Sequence, residues 1–194
     1  VRLGLLGGTF DPVHLGHLLL AEAARDELDL DPVLLVPASR PPHKPGRPIT
    51  PYAVRYRMIE LAVGGCEGLE ASDLERDPDQ PSYTVETLRR LASRHGERPE
   101  IWLVLGGDSL RELPGWREPE EIARLARLAV LARPGESSAD AVPPGWRVDW
   151  LSGPRIRLSS SEVRERAAHG RSLRFLVPEA VRSYIEREGI YRSR

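Results

Sequence analysis

Leu3-Gly4-Leu5-Leu6-Gly7-Gly8-Thr9-Phe10-Asp11-Pro12-Val13-His14-Leu15-Gly16-His17 starts as an apolar run, breaks at two glycines and resumes as an amphipathic segment reaching about Leu28. Leu3–Leu6 reads as a buried strand and Leu15–Leu28 as the helix after it. Strand, glycine-containing turn and helix together open a parallel α/β unit.

The same alternation continues along the chain. Val33–Val36, Ile101–Leu105, Leu128–Ala132 and Val148–Leu151 are short apolar runs of strand type, while Pro51–Val63 and Tyr83–His95 have helical spacing, with Gly96 as a stop. This predicts an α/β domain, a doubly wound Rossmann-like parallel sheet over about residues 1–152. A small C-terminal helical part covers about residues 153–194, in which Ser159–Ala168 and Pro178–Glu188 read as helices. Serines and a proline stand at their starts, and Gly170 and Gly189 stand where helix ends favour glycine. Ser39–Pro51, crowded with proline, and Arg133–Gly145, rich in Pro, Gly, Ser and Ala, read as loops.

The chain has 194 residues, with 28 Lys+Arg against 29 Asp+Glu and a formal charge of -1. That balance removes the broad positive footprint of a general nucleic-acid binder. No apolar run approaches the length of a membrane span, and the N-terminus lacks a secretory pattern. A single cysteine, Cys66, makes neither an internal disulfide nor a cysteine-based zinc site, so a reducing, cytoplasmic setting is expected. Lys44 is the one lysine among the 28 basic residues, asparagine is absent, and Gln80 is the one glutamine. The simplest reading of that bias is genome composition. The sequence does not set the oligomeric state, and a homo-oligomer is compatible with it.

The Gly7–His17 stretch lies at the carboxyl end of the first strand, where open α/β sheets bind ligands. Gly7 and Gly8 let a ligand approach the backbone. The helix start offers unpaired N–H groups and a positive dipole end, which suit phosphate. His14 and His17, three apart, share one side of a first helical turn, and Gly16 leaves room for a nucleobase or ribose against the helix. The glycine spacing is not G-x-G-x-x-G and no Lys-Ser/Thr follows, so a dinucleotide hydride-transfer site and a P-loop are both disfavoured.

Four further stretches carry polar groups suited to a nucleotide. Pro41-Pro42-His43-Lys44 presents a cation from a rigid loop, or simply a solvated lysine. Pro81-Ser82-Tyr83-Thr84-Val85-Glu86 reads as a helix start capped by Ser82 or Thr84. Leu105-Gly106-Gly107-Asp108 places a carboxylate after the clearest strand, as an acceptor for a ribose diol or as a helix cap. Leu158-Ser159-Ser160-Ser161-Glu162-Val163-Arg164 gives three hydroxyls and a guanidinium at one helix start, more than capping alone needs. Leu113-Pro114-Gly115-Trp116 puts an indole in a loop, whereas Trp102, Trp146 and Trp150 read as packing residues.

With these motifs in this order, from Leu3 to about Tyr191, the chain resembles the nucleotidyltransferases that carry a T/H-x-G-H element, relatives of the HIGH-containing aminoacyl-tRNA synthetases. In its full form it is similar to the bacterial nicotinate-nucleotide adenylyltransferases. Leu158, Ser161 and Val163 stand where that family has Ile, Thr and Ile, and none of these changes removes a needed group. The resemblance implies transfer of the adenylyl group of ATP to nicotinate mononucleotide, with release of pyrophosphate and no covalent intermediate. It implies an ATP site at Gly7, Gly8, Thr9, Phe10, His14, His17, Gly106, Asp108, Ser159, Ser160, Ser161 and Arg164. It implies a nicotinate-mononucleotide site at Asp11, Lys44, Tyr83, Thr84, Trp116 and Arg133, with amides near Thr84 receiving the carboxylate and Trp116 stacked on the pyridine ring. His14, His17, Lys44 and Arg164 would act on the phosphates as catalytic groups. Mg²⁺ would ride on ATP, since no tight carboxylate cluster forms a dedicated metal cage. The competing readings are nicotinamide mononucleotide or phosphopantetheine as acceptor, a cytidylyltransferase, and a non-catalytic nucleotide sensor on the same fold.

Overall fold

The computed structural model describes residues 1–41, 48–96, 99–131 and 142–192. Among them run strands β1 (Arg2–Gly8), β2 (Val33–Pro37), β3 (Leu69–Ala71), β4 (Glu100–Gly106), β5 (Arg127–Leu131) and β6 (Val148–Trp150). Every pairing is parallel, and the sheet order is β3-β2-β1-β4-β5-β6. The helices are α1 (Leu15–Leu28), α2 (Tyr52–Val63), α3 (Thr84–Arg94), α4 (Gly107–Leu110), α5 (Pro119–Leu125), α6 (Ser160–Ala168) and α7 (Glu179–Glu188), with a 3-10 turn at Leu113–Gly115.

Side-chain alternation along β1 divides the core between the two faces of the sheet. Leu3 and Leu5 pack with Leu88 and Leu91 of α3 and Ile122 of α5. Leu6 belongs to the opposite cluster, with Ala21 and Ala24 of α1 and Met58 and Ile59 of α2. The C-terminal helices enter this second cluster through Val163, Ala167, Val181 and Ile185, so they share a core with the sheet. The segment after β6 is tied to α1, where the Ser152 N–H donates to both carboxylate oxygens of Glu27 at 2.9 Å. At the opposite end of the sheet from the glycine motif, Trp102 donates through its indole N–H to Asp149 (2.8 Å), and Arg127 grips the same carboxylate with two bonds of 2.9 Å.

Strand order reverses between β1 and β4. The chain leaves β1 for α1 on one face and enters β4 from α3 on the other, which opens a crevice at the carboxyl ends of these two strands.

Three elements carry too little periodicity to be read from sequence. β3 has three residues with one fully buried position, and α4 has four residues. α5 has seven, although Pro119 in its first turn with Glu120 and Glu121 is a helix-start signal. The capping expected of Ser82 or Thr84 at α3 is not made. Tyr83 is the N-cap without a side-chain bond, and the Ser82 hydroxyl instead accepts the Arg40 N–H at 3.2 Å. Among the described residues, no helix is long and apolar enough to cross a membrane.

Candidate active site

The loop from Thr9 to His14 carries β1 into α1. Phe10 takes a left-handed backbone (φ 48°) and sends its ring into the core, 1 % exposed. A Cβ on Gly8 would stand 3.1–3.3 Å from that ring, so glycine lets Phe10 tuck beneath the end of β1. Above it, His17 meets the Phe10 ring edge-on, with centroids 4.9 Å apart.

His14 and His17 stack with centroids 3.6 Å apart and planes 18° from parallel. His17 Nδ1 accepts the backbone N–H of His14 at 3.2 Å, which places the proton of a neutral His17 on Nε2. Burial holds His14 far below the ordinary histidine range, at a pKa of about 4, so its ring is neutral near pH 7. Gly16 serves this arrangement directly, because a Cβ there would press on the His14 ring at 3.1 Å. The space over Gly16, expected to admit a base or ribose, is therefore shared with His14 itself. Two amides expected to be open for phosphate are also engaged, His14 N–H as above and Leu15 N–H on the Leu176 carbonyl at 2.9 Å.

The first turn of α6 faces this pair. Ser159 caps the helix by accepting the Glu162 N–H at 3.2 Å, and Glu162 accepts from the Ser159 N–H and hydroxyl at 2.7 Å. Those bonds hold the Glu162 carboxyl below its ordinary pKa. Ser160 donates to the Pro12 carbonyl at 2.9 Å, fastening α6 to the motif loop. Arg164 donates to the Asp11 carbonyl at 2.6 Å and to Ser161 Oγ at 3.0 Å. The three hydroxyls thus have separate duties as a cap, an anchor and a brace for the guanidinium.

Asp11 lies under the loop, 5 % exposed. Its Oδ1 accepts from the Tyr191 hydroxyl at 2.6 Å and its Oδ2 from the Thr50 N–H at 3.3 Å. Arg55, 1 % exposed, donates Nε to the Thr50 carbonyl at 2.8 Å and Nη1 to the Thr9 carbonyl at 2.7 Å. Desolvation lowers the Arg55 pKa, and the charge of Asp11 opposes that shift.

These groups border a cleft of about 1340 Å³ at the carboxyl ends of β1 and β4. Its walls include Thr9, Asp11, His14, His17, Gly106, Asp108, Ser159, Ser160, Ser161 and Arg164. Neutral donors, a guanidinium and a helix N-terminus facing one open volume suit a polyphosphate ester.

The cytidylyltransferase-like family model matches residues 5–166. A Thermus thermophilus protein named probable nicotinate-nucleotide adenylyltransferase is 45% identical over 192 residues, covering 99% of this chain and 100% of its own. The chain belongs to the nicotinate-nucleotide adenylyltransferase family. A protein of the same name from Thermomicrobium roseum is 43% identical over 198 residues, spanning 99% of this chain and 92% of its own. In fold, this family member matches the Plasmodium falciparum nicotinic acid mononucleotide adenylyltransferase complexed with NaAD, with a TM-score of 0.81 at 16% identity over 98% of this chain and 97% of that one.

The residues that the sequence nominated for this adenylyltransferase fall into three groups. Ten of them line the cleft, as named above. Gly7, Gly8 and Phe10 are not part of its lining, although Gly7 is exposed at the end of β1, with open space where a Cβ would stand. The Phe10 ring is in the core, so a nucleotide at this residue would meet its backbone. Tyr83, Thr84 and Trp116 do not line the cleft either. Tyr83 and Trp116 pack on the cluster of the other sheet face, the Tyr83 ring lies under the Arg117 guanidinium at 4.7 Å, and Trp116 is half-buried with its indole nitrogen unpartnered. Lys44 and Arg133 lie outside the described residues.

The structure of this adenylyltransferase adds groups that sequence reasoning missed. Arg155, Ile156 and Arg157 form a wall of the cleft, signalled by the alternating run Pro154-Arg155-Ile156-Arg157-Leu158. Arg55 was legible as a charge on the buried stripe of α2, in register with Met58, Ile59 and Ala62. Tyr191, at the far end of the chain, gave no local signal.

Proposed function

We propose that this chain transfers the adenylyl group of ATP to nicotinate mononucleotide, giving nicotinate adenine dinucleotide and pyrophosphate. The observation that carries the reading is the convergence of the stacked His14–His17 pair and Arg164 on one cleft, held together by bonds of 2.6–3.2 Å. A phosphate oxygen of the acceptor attacks the α-phosphorus. A new P–O bond forms there as the bond to the β-phosphate bridging oxygen breaks, and pyrophosphate carries the electron pair away. The attacking phosphate is already anionic near pH 7, so the step needs no strong base and rests on positioning and charge stabilisation.

In this reading His17, protonated on Nε2, donates to the α-phosphoryl oxygens. His14 acts beside it as a neutral ring, set by its burial. Arg164 and the α6 N-terminus face the leaving and attacking phosphates, and Asp108 at the end of β4 accepts from a ribose. Lys44 and Arg133 are assigned to phosphate, and Tyr83, Thr84 and Trp116 to the pyridine end, by resemblance. Mg²⁺ would be held chiefly by the ATP phosphates. Cytoplasmic residence fits the single cysteine, Cys66, which is an exposed free thiol.

The test is pyrophosphate release from ATP and Mg²⁺ with nicotinate mononucleotide, its amide or phosphopantetheine as acceptor. Fastest turnover is expected with nicotinate mononucleotide. Turnover with phosphopantetheine alone would overturn the acceptor, and no turnover with any of the three would overturn the enzyme reading in favour of a nucleotide sensor.

A further inference from the structure

Beneath the cleft, the buried Arg55 and the half-buried Tyr191 take no part in the chemistry proposed above. The Tyr191 hydroxyl crosses the whole length of the chain to donate to Asp11 Oδ1 at 2.6 Å. The second carboxylate oxygen takes the Thr50 N–H at 3.3 Å, and the main-chain carbonyl of the same residue takes Arg164 Nη1 at 2.6 Å. Asp11 is thus gripped at three acceptor atoms by three separate stretches of chain. Arg55 completes the frame, with Nε on the Thr50 carbonyl (2.8 Å) and Nη1 on the Thr9 carbonyl (2.7 Å).

The energetics favour a fixed frame. A carboxylate and a guanidinium this deeply buried are tolerated only when their polar atoms are hydrogen-bonded and opposite charge is near. The two nitrogens of Arg55 sit on one rigid plane, so bonding both carbonyls fixes the distance from Thr9 to Thr50. Lysine, with a single flexible ammonium, does not reproduce that fork. Tyr191 closes the remaining side. Its hydroxyl pKa is raised by burial and then by its bond to Asp11, so it remains a donor throughout the neutral range.

We infer that Tyr191 and Arg55 are positioning residues for adenylyl transfer, holding Asp11 and Thr9 so that Arg164 and the His14–His17 pair face the same point of the cleft. The inference rests on the function proposed above and extends it to two side chains that do not border the cleft. Neither touches the nucleotide, so their loss acts on geometry. A misplacement of about 1 Å can cost up to about 100-fold in rate. The effect belongs in kcat, because Arg164, the histidines and the α6 N-terminus all remain available to bind ATP.

The experiment uses the full chain as wild type, Tyr191→Phe, Arg55→Lys, Asp11→Asn and the Tyr191→Phe/Asp11→Asn double variant. Pyrophosphate release is measured with each of the three acceptors, alongside thermal unfolding, at a temperature where every variant is folded. Tyr191→Phe and Arg55→Lys are each expected to lower kcat about tenfold while the KM for ATP stays within about twofold. The double variant should be no slower than Asp11→Asn alone, because Tyr191 acts through that carboxylate. Wild-type kcat in both single variants, whatever their Tm, overturns the inference, as does full additivity in the double variant. If wild type turns over with a different acceptor, the acceptor assignment fails and the comparison proceeds with that substrate. Silence of wild type with all three overturns both readings.

Discussion

His17 Nδ1 accepts the backbone N–H of His14 at 3.2 Å while the two rings stack 3.6 Å apart. Each histidine therefore fixes the other: His17 caps the amide that begins the helix, and the His14 ring braces the face of His17. His17 reaches the cleft with one tautomer and one orientation already selected, so in the proposed reaction little reorganisation would remain.

The pKa of His14, lowered to about 4 by burial, makes a pH prediction. The folded state resists protonation that the unfolded chain accepts at the ordinary 6.5. Between those values the unfolded state binds more protons, so stability is complete above about pH 6.5 and declines as pH drops toward 4. The shift corresponds to about 3 kcal/mol at most. Unfolding midpoints measured from pH 7.5 to 4 should decrease in wild type and change much less in His14→Asn. A wild-type His14 imidazole that titrates near 6.5 by NMR would contradict the buried neutral ring.

His17 carries the outward proton, and its replacement should be the most damaging single change at the α-phosphate. His17→Ala is expected to lower kcat by about 100-fold or more, the scale of losing one transition-state donor. The KM for ATP should change far less. Steady-state pyrophosphate release checks it, and near-normal turnover would remove His17 from the assigned role.

The α6 serines separate capping from anion binding. Ser159 makes the cap with Glu162, so Ser159→Ala should cost about 1 kcal/mol of stability with kcat within about threefold of wild type. Arg164 donates to the Asp11 carbonyl of the motif loop at 2.6 Å and to Ser161 of its own helix at 3.0 Å, and it borders the cleft. Arg164→Lys keeps the charge but gives up the fork, and kcat/KM for ATP should drop by about tenfold or more. If Ser159→Ala proved the more harmful to turnover, the hydroxyl rather than the guanidinium would be meeting the nucleotide.

What the sequence disclosed and what it withheld follow from the range of each interaction. α1 occupies the residues its apolar spacing predicts, Leu15–Leu28, because a long amphipathic helix repeats its signal over several turns. The histidine motif was equally legible as a local element, since His14, Gly16 and His17 lie on one turn. Tyr191 and Asp11 are 180 positions apart, and no local pattern records a bond of that separation. The amides at the start of α1 show the opposite failure. Chemistry makes helix-start N–H groups available, but the Leu176 carbonyl, reached only through the tertiary fold, takes one of them. Composition alone does not separate Arg55, which is buried, from Arg155 and Arg157, which border the cleft; only their positions in the local apolar pattern do.

Asp149 offers a test of stability that leaves the chemistry alone. It receives the Trp102 indole N–H at 2.8 Å and two Arg127 bonds of 2.9 Å, and it does not line the cleft. Arg2 and Arg127 also lie over the Trp102 ring, at 4.7 and 5.8 Å. Asp149→Ala strands a buried indole donor, which costs about 1–3 kcal/mol. The Arg127 ion pair, partly exposed, contributes at most about 1 kcal/mol more. Tm should drop by several degrees while kcat stays near wild type. The Arg127 bond, opposed by desolvation and assisted by the Trp102 bond, sets the Asp149 pKa below its ordinary 3.8. Its contribution is thus complete above about 3.8 and is lost only as pH falls through the lower folded value. The acid decline from His14 therefore comes first, between about 6.5 and 4, and should be unchanged in Asp149→Ala. A variant whose midpoint matches wild type from pH 4 to 7.5 would show that the indole and guanidinium find other partners.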